Sequence, residues 1–355
     1  MIKQIKIKNK IYQMPIFCPD ATQAVVRALD SKDLKQTQTR GLIINTFHLY
    51  QRFGLHSFPF QTIQEFMNFK GLFISDSGGF QVFSLIKKNP KFGKITNEGF
   101  VIKQNKDVFT PEKSIQMQFD LNSDIIICLD DFTRPEANES EIKNSVERTI
   151  LWAKRCKIEY QKQLILHQFN TNNRPLIFGV IQGHNHQIYR KFCAKELLKI
   201  GFDGFGLGGW LFNSEGKIDY NIMKFNASLT PDNLPRYALG FGKPEDIVKI
   251  YPMGYQIFDC VLPTRDARHK RLYVFNNKVG KIQFKNDFYH YLYINKQIYR
   301  HDQTTIDTNC QCLTCQNYSK SYLHHLFKIN ETLAFRLATI HNLFFYNQLM
   351  LKLVN

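Results

Sequence analysis

The chain has 355 residues, enough for one large domain or a domain with an appendage and enough to bury a sizeable core. A hydrophobic content of 43% excludes a disordered chain. The formal charge of +17 specifies no fold, but it favours polyanionic partners, nucleic acid first, through steering and counterion release; a merely soluble basic protein is the plain alternative.

The opening "MIKQIKIKNK" carries charge without the apolar core of a signal peptide, and no stretch approaches the roughly 18 apolar residues of a membrane span. The expected compartment is the cytoplasm, with no membrane partner.

Short apolar runs recur along the chain. They are "PIFCP" at 15–19, "LIINTF" at 42–47, "GLFISD" at 71–76, "DIIICLD" at 124–130, "LIFGVIQG" at 176–183, "FDGFGLGG" at 202–209, "RYALGFG" at 236–242 and "YQIFDCVL" at 255–262. Their near-continuous apolar character is that of strands buried on both faces. Helix-like stretches lie between them: "TQAVVRALDSKDLKQ" at 22–36, "PEKSIQMQFDL" at 111–121, "ESEIKNSVERTILWAKRCKIEYQKQL" at 139–164, "HQIYRKFCAKELLKI" at 186–200 and "PEDIVKIYP" at 244–252. This alternation predicts an α/β fold, a (β/α)8 TIM barrel over 1–270, with a doubly wound open sheet as the alternative. The rhythm breaks after about 270, so residues 271–355 read as an appended C-terminal module.

In such a barrel the chemistry belongs at the C-terminal ends of the strands. There the runs carry Asp76-Ser77-Gly78-Gly79, Asp130-Asp131, Gln182-Gly183, Gly208-Gly209 and Asp259. Any one of these is an ordinary polar turn; together they converge on one mouth. Asp76, Asp130 and Gln182 can read the edge of a purine-like ring, and Phe80, Tyr237 and Leu239 could form its flat walls. Asp259 is then free to serve as a nucleophile or base, since a carboxylate attacking an anomeric carbon gives a covalent glycosyl intermediate while a second acid assists the leaving group.

Cysteine usage splits in two. Cys18, Cys128, Cys156, Cys193 and Cys260 are scattered and read as buried small hydrophobes in a reducing compartment. Cys310-x-Cys312-x2-Cys315 offers three thiolates that a fourth ligand would complete as a closed tetrahedral zinc site; His324, His325 and His341 are all candidates for it.

These stretches resemble the tRNA-guanine transglycosylases, also called queuine tRNA-ribosyltransferases, of bacterial type. The resemblance is carried by "NTFHLY" at 45–50, "SDSGGFQVFSL" at 75–85, "FGVIQG" at 178–183, "FDGFGLGG" at 202–209, "RYALGFGKPEDI" at 236–247, "FDCVLPTRDARH" at 258–269 and "CQCLTC…YLHHLF…HNLFFY" at 310–346, in order. It implies exchange of guanine at the wobble position of transfer RNAs with a GUN anticodon for a 7-deazaguanine. It places Asp259 at the nucleophile, Asp76 at the general acid/base, and Ser77, Asp130, Gln182 and Gly209 at base-recognition positions. Phe80 and Leu239 fall at the positions that sandwich the base. Lys243, Arg265 and Arg268 fall where the anticodon loop is held. The resemblance also selects His341 as fourth ligand of one structural zinc and implies a homodimer. The stretch 265–285, with seven Lys or Arg and one Asp, suits a backbone-gripping surface.

Three departures bear on which base enters. "CPDAT" at 18–22 puts Asp20 at the end of the first strand in place of a typical "MPVGT". Phe132 stands where a small cysteine is common. "WLFNSE" at 210–215 puts Trp210 for a leucine and is one residue longer before Glu215. Bulky apolar Trp210 and Phe132 favour queuine over its 7-aminomethyl precursor, because a cyclopentene ring gains by burial. The competing functions are a DNA-type relative, an archaeosine-type relative, for whose additional C-terminal RNA-binding domains there is little room, and a non-catalytic partner subunit, against which Asp76 and Asp259 argue.

Overall fold

The computed structural model describes residues 2–103, 106–211, 217–276, 284 and 287–354. Eight strands form the central sheet: β1 (Ile16–Pro19), β2 (Gly41–Asn45), β3 (Leu72–Asp76), β4 (Ile125–Ile127), β5 (Leu176–Ile181), β6 (Gly204–Leu207), β7 (Arg236–Ala238) and β8 (Ile257–Cys260). Their order is β1-β8-β7-β6-β5-β4-β3-β2, with every neighbouring pair parallel. A parallel bridge from Asp20 to Ile43 joins β1 to β2 and closes the ring. The sheet is therefore a (β/α)8 barrel and not the open doubly wound alternative, and each of the eight apolar runs supplies one strand.

Period-two alternation sorts the strand residues. Ile16, Cys18, Ile43, Leu72, Ile74, Ile125, Ile127, Phe178, Val180, Tyr237 and Ile257 share one buried cluster, the barrel interior. β6 presents glycines inward, and Phe178 and Leu239 occupy the space. The N-terminal hairpin, Gln4–Ile7 paired with Lys10–Gln13, adds Ile5 and Ile7 to that cluster and stoppers its lower end. At the hairpin turn, Lys8 Nζ donates to the carbonyls of Asn122 (2.7 Å) and Ser123 (3.0 Å). Continued by one inward step, the same alternation puts Asp20, Asn45, Asp76, Gln182, Leu239 and Asp259 in the top layer.

One expected helix is largely absent. Of 22–36 only Ser31–Gln36 is helical. Ala24 and Ala28 take left-handed conformations (φ 56° and 69°), which break a helix, and Asp30 starts a new one as its N-cap. The other expected helices are present as Pro111–Asp120, Glu139–Leu166, Gln187–Ile200 and Pro244–Ile250. The sequence reading did not assign helix Gly79–Lys88, nor the three-stranded antiparallel sheet of Gly93–Ile95, Phe100–Ile102 and Asp107–Phe109.

Beyond β8 come helix Leu262–Arg268, a hairpin of Arg271–Phe275 with Tyr289–Tyr293, and helices Leu313–Asn317, Lys320–Lys328 and Thr332–Lys352. The last helix is apolar almost all round because it is sandwiched. Tyr346 packs its ring, tilted by 43°, against Phe17 of β1 at 4.6 Å and donates its hydroxyl to Gly242 O (2.6 Å). Arg336 grips Asp33 with two hydrogen bonds of 2.8 and 2.7 Å. Asn342, fully buried, donates to Pro263 O and Arg271 O (both 3.0 Å) and accepts from Tyr273 N (3.2 Å). Asn342→Ala strands those three backbone groups and is expected to destabilise the protein by at least about 2 kcal/mol, read as a lower midpoint in chemical denaturation.

Candidate active site and metal centre

Asp259 closes the top layer on the β8 side. Tyr237 Oη donates to its Oδ1 (2.8 Å), and so does Gly240 N (2.7 Å). Gly240 has φ 77°, and this left-handed turn after β7 aims its N–H back at the carboxylate. Both bonds fall on one oxygen, so Oδ2 is unengaged among the described residues. Burial pushes the Asp259 carboxyl from 3.8 up to about 7; the two hydrogen bonds oppose that, and the nearby charges of Asp76 and Asp20 add to it.

Asp76 accepts from Asn45 Nδ2 (3.0 Å), and Asn45 Oδ1 caps the helix that follows by accepting from His48 N (3.0 Å). This double use fixes the orientation of the Asn45 amide. Burial raises the Asp76 carboxyl, against hydrogen bonds from Gln81, Asn45 and the amides of Ser77 and Gly78.

Asp130 receives Gln182 Nε2 at 2.6 Å and Ser77 Oγ at 3.4 Å. Burial pushes it up to about 7; Gln182 opposes that, and the charges of Asp76 and Asp131 add to it. Gln182 Oε1 is buried with no hydrogen-bond partner among the described residues, an acceptor available to a ligand's N–H. Gly208 and Gly209 lie directly over this amide. A Cβ at 208 would stand 2.7 Å from Gln182 Nε2, and one at 209 would stand 2.9 Å from Oε1, so the backbone reaches the pocket edge only as glycine. The structure thus brings Asp76, Ser77, Asp130, Gln182, Gly209 and Asp259 into one mouth.

The walls are less uniform. Phe80 is 51% exposed at the rim, with the Phe132 ring edge-on at 5.1 Å and Phe83 behind Phe132 at 5.3 Å. Leu239 is half-buried in the top layer, and Trp210 is half-buried beside Gly209. Tyr237, expected as a possible wall, is instead fully buried below Asp259, and its hydroxyl rather than its ring face serves the site. Phe212–Glu215 of the longer loop lie outside the described residues, as do Lys278, Lys281 and Lys285 of the basic stretch.

The cations sit on the rim. Arg265 is exposed on helix Leu262–Arg268; Arg268 is half-buried, bonded to Thr264 O (2.9 Å) and close enough to Asp20 and Arg265 to feel their charges. Lys243 is exposed at the N-cap of helix Pro244–Ile250.

Two supporting residues escaped the sequence reading. One is Asn45. The other is Arg190, fully buried with no carboxylate partner among the described residues. It donates to His184 O (2.6 Å), Ile181 O (3.2 Å), Gly208 O (3.0 Å) and Asn226 Oδ1 (3.1 Å). It therefore ties the end of β5 to the end of β6, the two segments that hold Gln182 and Gly209. Burial lowers its guanidinium to about 10. In sequence, Arg190 beside Lys191 reads as an ordinary solvent-facing helix cation.

Below the barrel wall, Cys310, Cys312, Cys315 and His341 are all buried with their ligand atoms within 4.8 Å of one another. His341 Nδ1 stands 3.3, 3.7 and 3.8 Å from the sulfurs of Cys315, Cys312 and Cys310. Its Nε2 bonds Tyr273 O (2.8 Å), which leaves Nδ1 as the ligand atom. Three thiolates and one imidazole fit a tetrahedral structural metal. His324 is buried in helix packing and His325 is exposed; neither joins the cluster.

The profile of the family described as queuine tRNA-ribosyltransferase matches residues 2–353. The chain belongs to the queuine tRNA-ribosyltransferase family. Relatives carrying that name include a Helicobacter hepaticus protein, 38% identical over 98% of this chain and 87% of its own length. An Aliivibrio salmonicida protein is 38% identical with the same coverage, and one from Buchnera aphidicola is 37% identical over 98% of this chain and 88% of its own. Among the described residues no helix is long and apolar enough to cross a membrane.

The carboxyls of this queuine tRNA-ribosyltransferase family member set a pH dependence of stability. Asp259 and Asp130 hold their protons to about pH 7 when folded, whereas the unfolded chain releases them near 3.8. The folded state then binds more protons, so stability falls as pH rises from about 4 to about 7. Asp259→Asn removes one such penalty. Its melting temperature should exceed that of the wild type above pH 7, with the difference closing towards pH 4 in a thermal-denaturation series.

Proposed function

We propose that this protein exchanges guanine at the wobble position of transfer RNA for a 7-deazaguanine by double displacement at Asp259. The observation that carries the reading is the Asp259 carboxylate, held through one oxygen by Tyr237 and Gly240 with the other unengaged among the described residues. Oδ2 attacks C1′ of the target ribose as the C1′–N9 bond breaks. The departing guanine takes its proton from Asp76, whose raised affinity for protons suits an acid near neutral pH. The incoming base returns a proton to Asp76 while its N9 re-forms the bond to C1′ and frees Asp259. Asp130, Gln182, Ser77 and the Gly209 backbone read the ring edge, and Phe80 and Leu239 cover its faces. The target nucleotide must leave the stack to reach this mouth.

Residues 1–270 act as the catalytic barrel and 271–355 as a zinc-binding, RNA-contacting subdomain, with Lys243, Arg265 and Arg268 gripping the anticodon loop of a polyanionic partner that the +17 charge suits. The zinc is structural and leaves no open coordination position. The protein works in the cytoplasm as a homodimer. Phe132 and Phe80 present an aromatic rim to the 7-substituent, which favours the cyclopentene of queuine over a compact aminomethyl cation.

Labelled guanine should enter unmodified tRNA with wild-type enzyme and not with Asp259→Asn. Chasing the label with either base ranks them: faster release by queuine is expected, and faster release by the aminomethyl compound reverses the preference while leaving the exchange reading intact. No incorporation by wild type rejects the exchange reading. Elemental analysis should find one zinc per chain, lost in His341→Ala with a fall in melting temperature and retained in His325→Ala.

A further inference from the structure

We propose that Asp20 accepts a hydrogen bond from the 2′-hydroxyl of the target ribose, making the reaction selective for RNA over DNA. This rests on the exchange reaction proposed above.

The placement follows from strand register. β1 and β8 run parallel with Cys18 opposite Asp259 and Pro19 opposite Cys260. Ile16 and Cys18 face the barrel interior, so the next inward position on β1 is Asp20. It stands beside Asp259 at the top of adjacent strands, where its bridge to Ile43 closes the barrel. The charge of Asp20 acts on Asp259, and also on His48 and Arg268. Asp20 Oδ1 accepts from Thr22 N (3.2 Å) and from Thr22 Oγ1. That local turn accounts for one oxygen. Oδ2 has no hydrogen-bond donor among the described residues.

The reaction determines what can reach that oxygen. Asp259 must come within about 3–3.5 Å of C1′. The base points away from it, towards Asp76, Asp130 and Gln182, so the ribose lies over the β8–β1 side of the mouth. In an internal nucleotide the 3′ and 5′ oxygens are esterified, and the 2′-hydroxyl is the sugar's only remaining hydroxyl donor. It sits on the carbon next to C1′, within one residue's reach of the nucleophile. A second carboxylate there repels phosphate and opposes ionisation of Asp259, so a purely structural turn would be better served by an uncharged acceptor. A 2′-hydroxyl bound to a carboxylate gains strength as positive charge develops at C1′, and it is the group by which a protein distinguishes RNA from DNA.

The experiment compares two anticodon hairpins that differ only by a 2′-deoxyguanosine at the target position. Single-turnover incorporation of labelled guanine is measured with wild type, Asp20→Asn and Asp20→Ala. Wild type should favour the ribo hairpin by about tenfold or more. Asp20→Ala should bring that ratio close to one by slowing the ribo reaction. Asp20→Asn keeps its one oxygen for Thr22 and puts an amide N–H, which cannot accept, where Oδ2 stood, so its ratio should also fall towards one. An unchanged ratio in Asp20→Ala, or equal slowing of both substrates, overturns the role of Asp20 while wild-type exchange continues to support the function. Failure of wild type on the ribo hairpin rejects both.

Discussion

Three carboxyl groups, those of Asp76, Asp130 and Asp259, share one water-poor mouth, and the charge of Asp76 makes the other two harder to ionise. Burial is the first cause of every shift, and the charge of Asp76 adds to it at Asp130 and at Asp259. Left unsupported, such a cluster would be neutral and chemically dull. The supports are specific. Asn45 and Gln81 serve Asp76, Gln182 and Ser77 serve Asp130, and Tyr237 with Gly240 N serves Asp259. The result is a set of acids that hold their protons more tightly than exposed carboxyls do, Asp130 and Asp259 up to about 7, which suits a site that must both donate a proton and attack a sugar carbon.

Those supports are held by structure further out. Arg190 donates four hydrogen bonds from its guanidinium, three to carbonyls at the ends of β5 and β6 and one to the Asn226 amide, so Gln182 and Gly209 keep their spacing. On the other side, helix Thr332–Lys352 lies against β1 through Tyr346 and Phe17 and reaches the loop after β7 through Gly242. The same helix carries His341, whose second ring nitrogen is anchored on Tyr273 O. The Cys3His cluster and the turn beside Asp259 are thus joined by one rigid element.

The barrel was legible because strands buried on both faces leave unbroken apolar runs, and all eight runs became strands. The cysteine cluster was legible from spacing; spacing alone left His324, His325 and His341 open, the family resemblance selected His341, and the geometry agrees. Other features left no such trace. The left-handed Ala24 and Ala28 carry no glycine to announce a break in 22–36. The strands at 93–109 are only three residues long, too short for alternation to register. Tyr237 was read as a flat wall because an aromatic near a base pocket suggests stacking, whereas its hydroxyl is the functional part. Arg190 was indistinguishable from its solvated neighbours because nothing local reveals that a helix face turns inward.

The account stands on the chemistry of one oxygen of Asp259. The direct measurement is to incubate the enzyme with an anticodon hairpin, quench in denaturant, digest with nuclease and protease, and locate any ribosyl adduct by mass spectrometry. The account predicts an adduct on the peptide carrying Asp259, formed as guanine is released and discharged when an acceptor base is added. Turnover with no protein-bound ribose, or an adduct on the peptide carrying Asp76, would contradict it.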